Sequence, residues 1–191
     1  VDTNPIKIEQ LQDQAVALMN EFIEKLNLDN LNLTTEQKET IMIYVAKEQG
    51  YDAELDNINI DLDSLPQEAK DLLDTWSEMA KEIADRLDAV ADALNLPFSL
   101  LDGFYFPLRH YEGTGEFGSD IEIALDLALR GFTKRKGKFY GEQEQGGVIL
   151  DPAEQLRLYL QDASKIIIIG EAKIALQEKL AENPKIAENI G

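Results

Sequence analysis

Leu73, Ala80, Leu87 and Leu94 recur seven residues apart, and Trp76, Ile83 and Val90 form a second series at the same interval. Two interlocked heptad series on one segment make a seam of coiled-coil type, which has to bury against other helices. The spacing predicts a long helix over 65–95, capped by Asp63 or Ser64, with Pro66 in its first turn and Pro97 beyond its end.

The remaining segments supply partners for that seam. Over 5–27, Pro5 suits a first turn, and Leu11, Ala15, Leu18, Phe22 and Leu26 recur at spacings of three or four. The turn-rich 27–33 ends this helix. Thr34 and Gln37 make a capping-box pattern for a second helix over 35–49, closed by Gly50 and burying Ile41, Tyr44 and Val45. Asp151 caps a final helix with Pro152 at its first position, continued by Leu156, Tyr159, Leu160 and Ala163. Within it, Ile166–Ile169 are β-branched and favour a strand locally, but both flanks are helical. One long helix interrupted or bent near Gly170 is expected. Between the helices, residues 98–118 gather aromatics, glycines and a proline in an irregular segment, 120–130 read as a short helix, and the glycines of 131–150 suggest a small β-hairpin. The fold expected is therefore mainly α, an antiparallel helical bundle with one long heptad-patterned helix. It divides into an acidic bundle part (1–97), an aromatic and glycine-rich segment with a basic loop (98–150) and a C-terminal helical arm (151–191).

Charge narrows the partners. The net charge is −19, and it is uneven: residues 1–102 carry 23 acidic and 7 basic side chains, residues 103–191 carry 14 and 11. An acidic surface of this strength repels phosphate backbones and anionic membranes, whose binding depends on cations. The plain reading is a well-solvated surface; the sharper one is a decoy offering nucleic-acid-like charge to a basic partner. There is no cysteine, so thiol chemistry, disulfides and cysteine-ligated metals are excluded. No secretory signal opens the sequence, and no apolar run is long enough to span a bilayer. The absent initiator Met and the ending AENPKIAENIG suggest a segment excised from a larger protein.

Candidate chemistry is thin, and no catalytic or metal-binding set is expected. The single histidine, His110, suits packing or a hydrogen bond better than catalysis. Asn57, Asn59, Asp61, Asp63 and Glu68 echo a calcium loop, but Leu62 stands where glycine is required and Pro66 interrupts the end. Gly113, Gly115 and Gly118 spell G-x-G-x-x-G without the preceding strand that gives the motif meaning. Arg130, Lys134, Arg135, Lys136 and Lys138 form the one basic cluster, beside Phe132, Phe139 and Tyr140. Such interleaving can grip nucleic acid, although in so acidic a chain pairing with its own helices is the simpler use. No cofactor is implied.

The order of short motifs is distinctive. Leu33-Thr34-Thr35-Glu36-Gln37 opens a helix, the heptad helix follows, and then comes Gly103-Phe104-Tyr105-Phe106-Pro107-Leu108-Arg109. Gly131-Phe132-Thr133-Lys134-Arg135-Lys136-Gly137 appears next. Last is Asp151-Pro152, leading to Leu158-Tyr159-Leu160 and Lys165-Ile166-Ile167-Ile168. Over roughly 33–170 this resembles helical domains of the very large polyvalent proteins of tailed bacteriophages and related mobile elements, which are packaged in virions or ejected with the genome. The resemblance implies a non-enzymatic structural or interaction role, in the virion or the host cytoplasm. Its implied partners are other domains of the parent chain or virion proteins. It assigns Phe104, Tyr105, Phe106 and Pro107 to an aromatic plug in the bundle, with Arg109 and the Lys134–Lys136 loop available to acidic helix ends. The alternative is a small acidic binding or inhibitor protein acting on a basic partner.

Overall fold

A computed structural model describes residues 5–51, 53–95, 105–110, 139–140 and 147–182, with side chains from residue 8 onward. Among the described residues four α-helices carry the architecture: α1 (Pro5–Leu26), α2 (Thr35–Glu48), α3 (Gln67–Ala93) and α4 (Pro152–Glu182). The chain is mainly helical, and its helices pack as a bundle. The expected short helix over 120–130 lies outside the described residues.

Local chemistry sets the helix ends. α1 stops where Asn27 turns left-handed at φ 56°, a conformation asparagine tolerates, and Asn30 Nδ2 donates to the Asn27 side chain at 2.7 Å. The turn drives Leu28 into the core. At α2 the capping box forms in full: Gln37 N donates to Thr34 Oγ1 at 3.1 Å, and Thr34 N to Gln37 Oε1 at 2.9 Å. Gly50 follows at φ 62°. Asp151 Oδ1 caps α4, accepting from Ala153 N at 3.0 Å and Glu154 N at 3.3 Å.

α3 differs from expectation at its start. Neither Asp63 nor Ser64 caps it; Pro66 holds the N-cap position, and Asp61 instead caps a short 3-10 turn by accepting from Asp63 N at 3.1 Å. The reason is Leu65, which is buried and pulls the chain inward before the helix begins. The seam also shifts. Trp76, Ile83, Leu87 and Val90 are buried as expected, but Ala69, Leu72 and Met79 complete the face, while Leu73, Ala80 and Leu94 are half-buried at its edge. The straight α-helix follows the 3.6-residue period here and drifts off a strict heptad line.

α4 is central. Trp76 and Tyr159 meet edge to face at 5.6 Å, and Arg86 reaches Glu171 at 3.1 Å farther along both helices, so α3 and α4 run parallel. Arg157, near the start of α4, pairs with Asp29 just past the end of α1 at 2.8 Å, so α1 runs antiparallel to α4. Ile166–Ile169 are helical, which resolves the local ambiguity. The expected interruption near Gly170 does not occur, because that glycine serves packing: a Cβ there would overlap Val90 Cγ1 and stand 3.0 Å from Cγ2. No described helix is long and apolar enough to cross a membrane.

α2 is buried on more than one side. Ile41, Met42, Ile43, Val45 and Ala46 are all buried, more than the single face its spacing suggests, while Tyr44 is half-buried. At its end, Gln49 meets the extended segment 105–110 through Phe106.

Candidate functional site

Tyr105-Phe106-Pro107-Leu108-Arg109-His110 is an extended strap inside a helical protein, and every residue of it except Arg109 is buried. Extended backbone within a helical core lacks neighbouring strands to satisfy its amides, and each buried unpaired group costs about 1–3 kcal/mol. Side chains from three helices supply the missing partners.

Trp76 Nε1 on α3 donates to Tyr105 O at 2.7 Å. Gln49, at the end of α2, uses both ends of its amide on one residue: Phe106 N donates to its Oε1 at 3.2 Å, and its Nε2 donates to Phe106 O at 3.0 Å. Gln155 on α4 repeats the device three residues on. Arg109 N donates to Gln155 Oε1 at 2.8 Å, and Gln155 Nε2 donates to Arg109 O and Ile149 O, both at 3.0 Å. Each glutamine thus acts as a fragment of a neighbouring strand. One short length of real strand pairing joins them: Ile149 N donates to Arg109 O at 2.9 Å, and His110 and Val148 form an isolated antiparallel bridge. Val148 N in turn donates to Phe139 O at 3.0 Å. Among the described residues of 131–150 no strand forms and the expected hairpin is not shown: Val148 bridges outward to His110, and a single hydrogen bond links it to Phe139.

The side chains of the strap fill the bundle. Phe106 is fully buried and meets Trp76 edge to face at 6.0 Å; Tyr105 packs on Tyr159 at 5.5 Å. Burial pushes both tyrosine hydroxyls well above their ordinary range, so they remain neutral. Arg109 turns its guanidinium inward to Asp162 on α4, with Nη2 to Oδ2 at 2.5 Å. The two side chains are 10% and 5% exposed, so this is a desolvated pair. Burial raises the Asp162 carboxyl above the usual range, and Arg109 only partly offsets it. The cost of desolvating such a pair can exceed its Coulomb gain inside a protein. His110 is buried with its Nε2 hydrogen-bonded to the Tyr51 hydroxyl, and Tyr51 also meets Phe139 edge to face at 6.4 Å.

Of the residues singled out by sequence, Tyr105, Phe106, Pro107 and Arg109 are therefore brought together. Phe104 and the basic cluster Arg130, Lys134, Arg135, Lys136 and Lys138 lie outside the described residues. Arg109 was expected at acidic helix ends; it reaches the middle of α4 instead, because the strap enters between helices. Gln49, Gln155 and Asp162 were missed. A signal existed for two of them: Gln155, Tyr159, Asp162 and Ile166 recur at three and four, so two polar side chains interrupt a buried face.

The described residues hold no group of three or more His, Cys, Asp or Glu side chains placed for a metal ion. Comparison of the chain with protein-family models, curated proteins and solved structures returns no match. The functional reading therefore rests on the site's own geometry.

Proposed function

We propose that this chain is a non-enzymatic structural and interaction domain of a large phage-type protein, packaged in the virion or ejected into the host cytoplasm. Its partners are other domains of the parent chain or virion proteins. The observation that supports this reading is the use made of Arg109. The arginine of the aromatic motif, the residue most suited to gripping an anionic substrate, is consumed by Asp162 inside the protein. The Tyr-Leu helix motif packs against the same strap through Tyr159. Two motifs of the resemblance thus meet in one buried joint, and their polar groups hold the bundle together.

The test is intact-mass analysis of the endogenous product, located through a peptide from α3. A product far above 21.4 kDa in purified virions is expected; a free product near 21.4 kDa would sink the proposal.

A second reading, an acidic module for a basic partner, has one observation in its favour. Asp71, Asp74, Glu78, Glu82 and Asp85 are exposed along α3 at spacings of three and four, a continuous acidic ridge. Recovery of the free 21.4 kDa product together with a cationic protein would support it.

A further inference from the structure

α2 carries a second pattern that its helix does not use. Residues 40–46 read Thr-Ile-Met-Ile-Tyr-Val-Ala, a run without a charge, a glycine or a proline. Thr40, Ile41, Ile43, Tyr44 and Val45 are β-branched or aromatic, the classes that suit a pleated strand better than a helix. In an extended chain Ile41, Ile43 and Val45 would line one face, with Met42, Tyr44 and Ala46 on the other, so both faces would be apolar. An uncharged segment of this length and make-up is the signature of a strand that stacks on copies of itself.

The helical state of this segment is imposed from outside it. The local helix signals lie at the ends of α2, in the Thr34–Gln37 capping box and the left-handed Gly50. A helix of 14 residues is marginal alone, and strand-type residues in its centre weaken it further. Thr40 Oγ1 also donates to Glu36 O at 2.9 Å, a local bond that loosens helices slightly. Burial holds the segment helical. Ile41, Met42, Val45 and Ala46 are fully buried and Ile43 nearly so, while Tyr44 is half-buried, so both would-be strand faces are hidden.

Charges bracket the run. Lys38 and Glu39 precede it, and Lys47 and Glu48 follow it, the placement by which sequences hold an apolar strand-former apart from its copies. The fold engages three of the four. Lys38 Nζ lies 3.5 Å from Asp151 Oδ2, Tyr140 donates its hydroxyl to Glu39 Oε1 at 2.9 Å, and Lys47 Nζ donates to Ile58 O at 2.6 Å.

We propose that residues 40–46 are a self-recognition site concealed by the fold. Once α2 is released, they extend and pair with the same residues of a second copy of this chain in a cross-β stack. The net charge of −19 on each copy opposes that approach, and salt relieves the opposition. The run Ile166–Ile169 is the poorer site, being shorter, preceded by Lys165 and ended by Gly170. The site belongs to this chain whether or not a larger protein contains it.

The test holds the full chain at the midpoint of its urea transition in about 0.5 M sodium chloride, so that released molecules meet with their charges screened. Thioflavin T fluorescence and a fibre-diffraction spacing of about 4.7 Å report the stack. The wild type is expected to assemble, and proteolysis of the product should leave a resistant core containing residues 40–46, identified by mass spectrometry. Tyr44→Lys sets a charge in the middle of the run at its half-buried position; at its own urea midpoint it should assemble about tenfold more slowly or less. Ile168→Lys, at a half-buried position of the isoleucine run, should stay within about twofold of the wild-type rate. Should Tyr44→Lys fail to fold, the resistant core of the wild type decides alone. Three results would each overturn the proposal: no cross-β product, a core that lacks residues 40–46, or a folded Tyr44→Lys variant that assembles as fast as the wild type. A slowing confined to Ile168→Lys would overturn it in favour of the isoleucine run.

Discussion

Gln155 and Arg109 pair as residues of adjacent strands do, although one lies on a helix and its contribution is a side chain. The Gln155 amide accepts from Arg109 N at 2.8 Å and donates to Arg109 O at 3.0 Å. Gln155→Leu keeps the volume and removes all three hydrogen bonds, leaving buried backbone groups without partners. A loss of about 2–4 kcal/mol is expected, read by urea denaturation with Trp76, the single tryptophan, as the fluorescent probe.

The Arg109–Asp162 pair predicts an asymmetry between single and double substitution. Arg109→Ala strands a carboxylate in the core and should cost about 3–5 kcal/mol. Arg109→Met combined with Asp162→Leu removes both charges and should recover most of that loss. A double variant no more stable than Arg109→Ala would show that the ion pair itself contributes net stability.

The raised pKa of Asp162 gives the pH dependence a definite sign. The folded protein holds this proton more tightly than the unfolded chain does, so Asp162 contributes stability below the ordinary carboxylate pKa. That contribution is lost as the pH rises through the raised folded value. Against Asp162→Asn, which does not titrate, the wild type should therefore gain relative stability as the solution is acidified from neutral. Urea midpoints of the two proteins across the mildly acidic range measure this; a relative loss on acidification would contradict it.

Gly170 is predicted to resist its smallest substitution. A methyl group at this site would overlap Val90 Cγ1, and the neighbour is a branched side chain on a packed helix with little room to move. Gly170→Ala should lower stability by about 1–3 kcal/mol, despite the helix propensity it gains. Adding Val90→Ala should relieve the overlap, and a failure to do so would place the strain elsewhere.

The parts of this fold that sequence reveals are those set by local chemistry. Thr34 and Gln37, Asp151 and Pro152, and the Trp76–Ile83–Val90 spacing each act within one or two helical turns, so their pattern is readable in the chain itself. Gly170 shows the limit. Its sequence context reads as a break, and only the approach of Val90, 80 positions away, shows why it is a contact. The strap is similar. Its aromatics announce burial, but the amides that accommodate its backbone come from Gln49 and Gln155, whose roles exist only once α2 and α4 are in place. Polar residues on an otherwise apolar helical face were the one available clue, and Asp162 carried it too.

The strap is part of the core, and its polar groups serve the fold. Native-state hydrogen exchange tests this most directly, at the amides of Phe106 and Arg109, which donate to Gln49 and Gln155, and of Ile149, which donates to Arg109 O. These three are expected to exchange only through global unfolding, with the same free energy as amides in the middle of α4. Exchange at the rate of exposed turns, while α4 stays protected, would mean that the strap opens independently and that Arg109 is available for something other than structure.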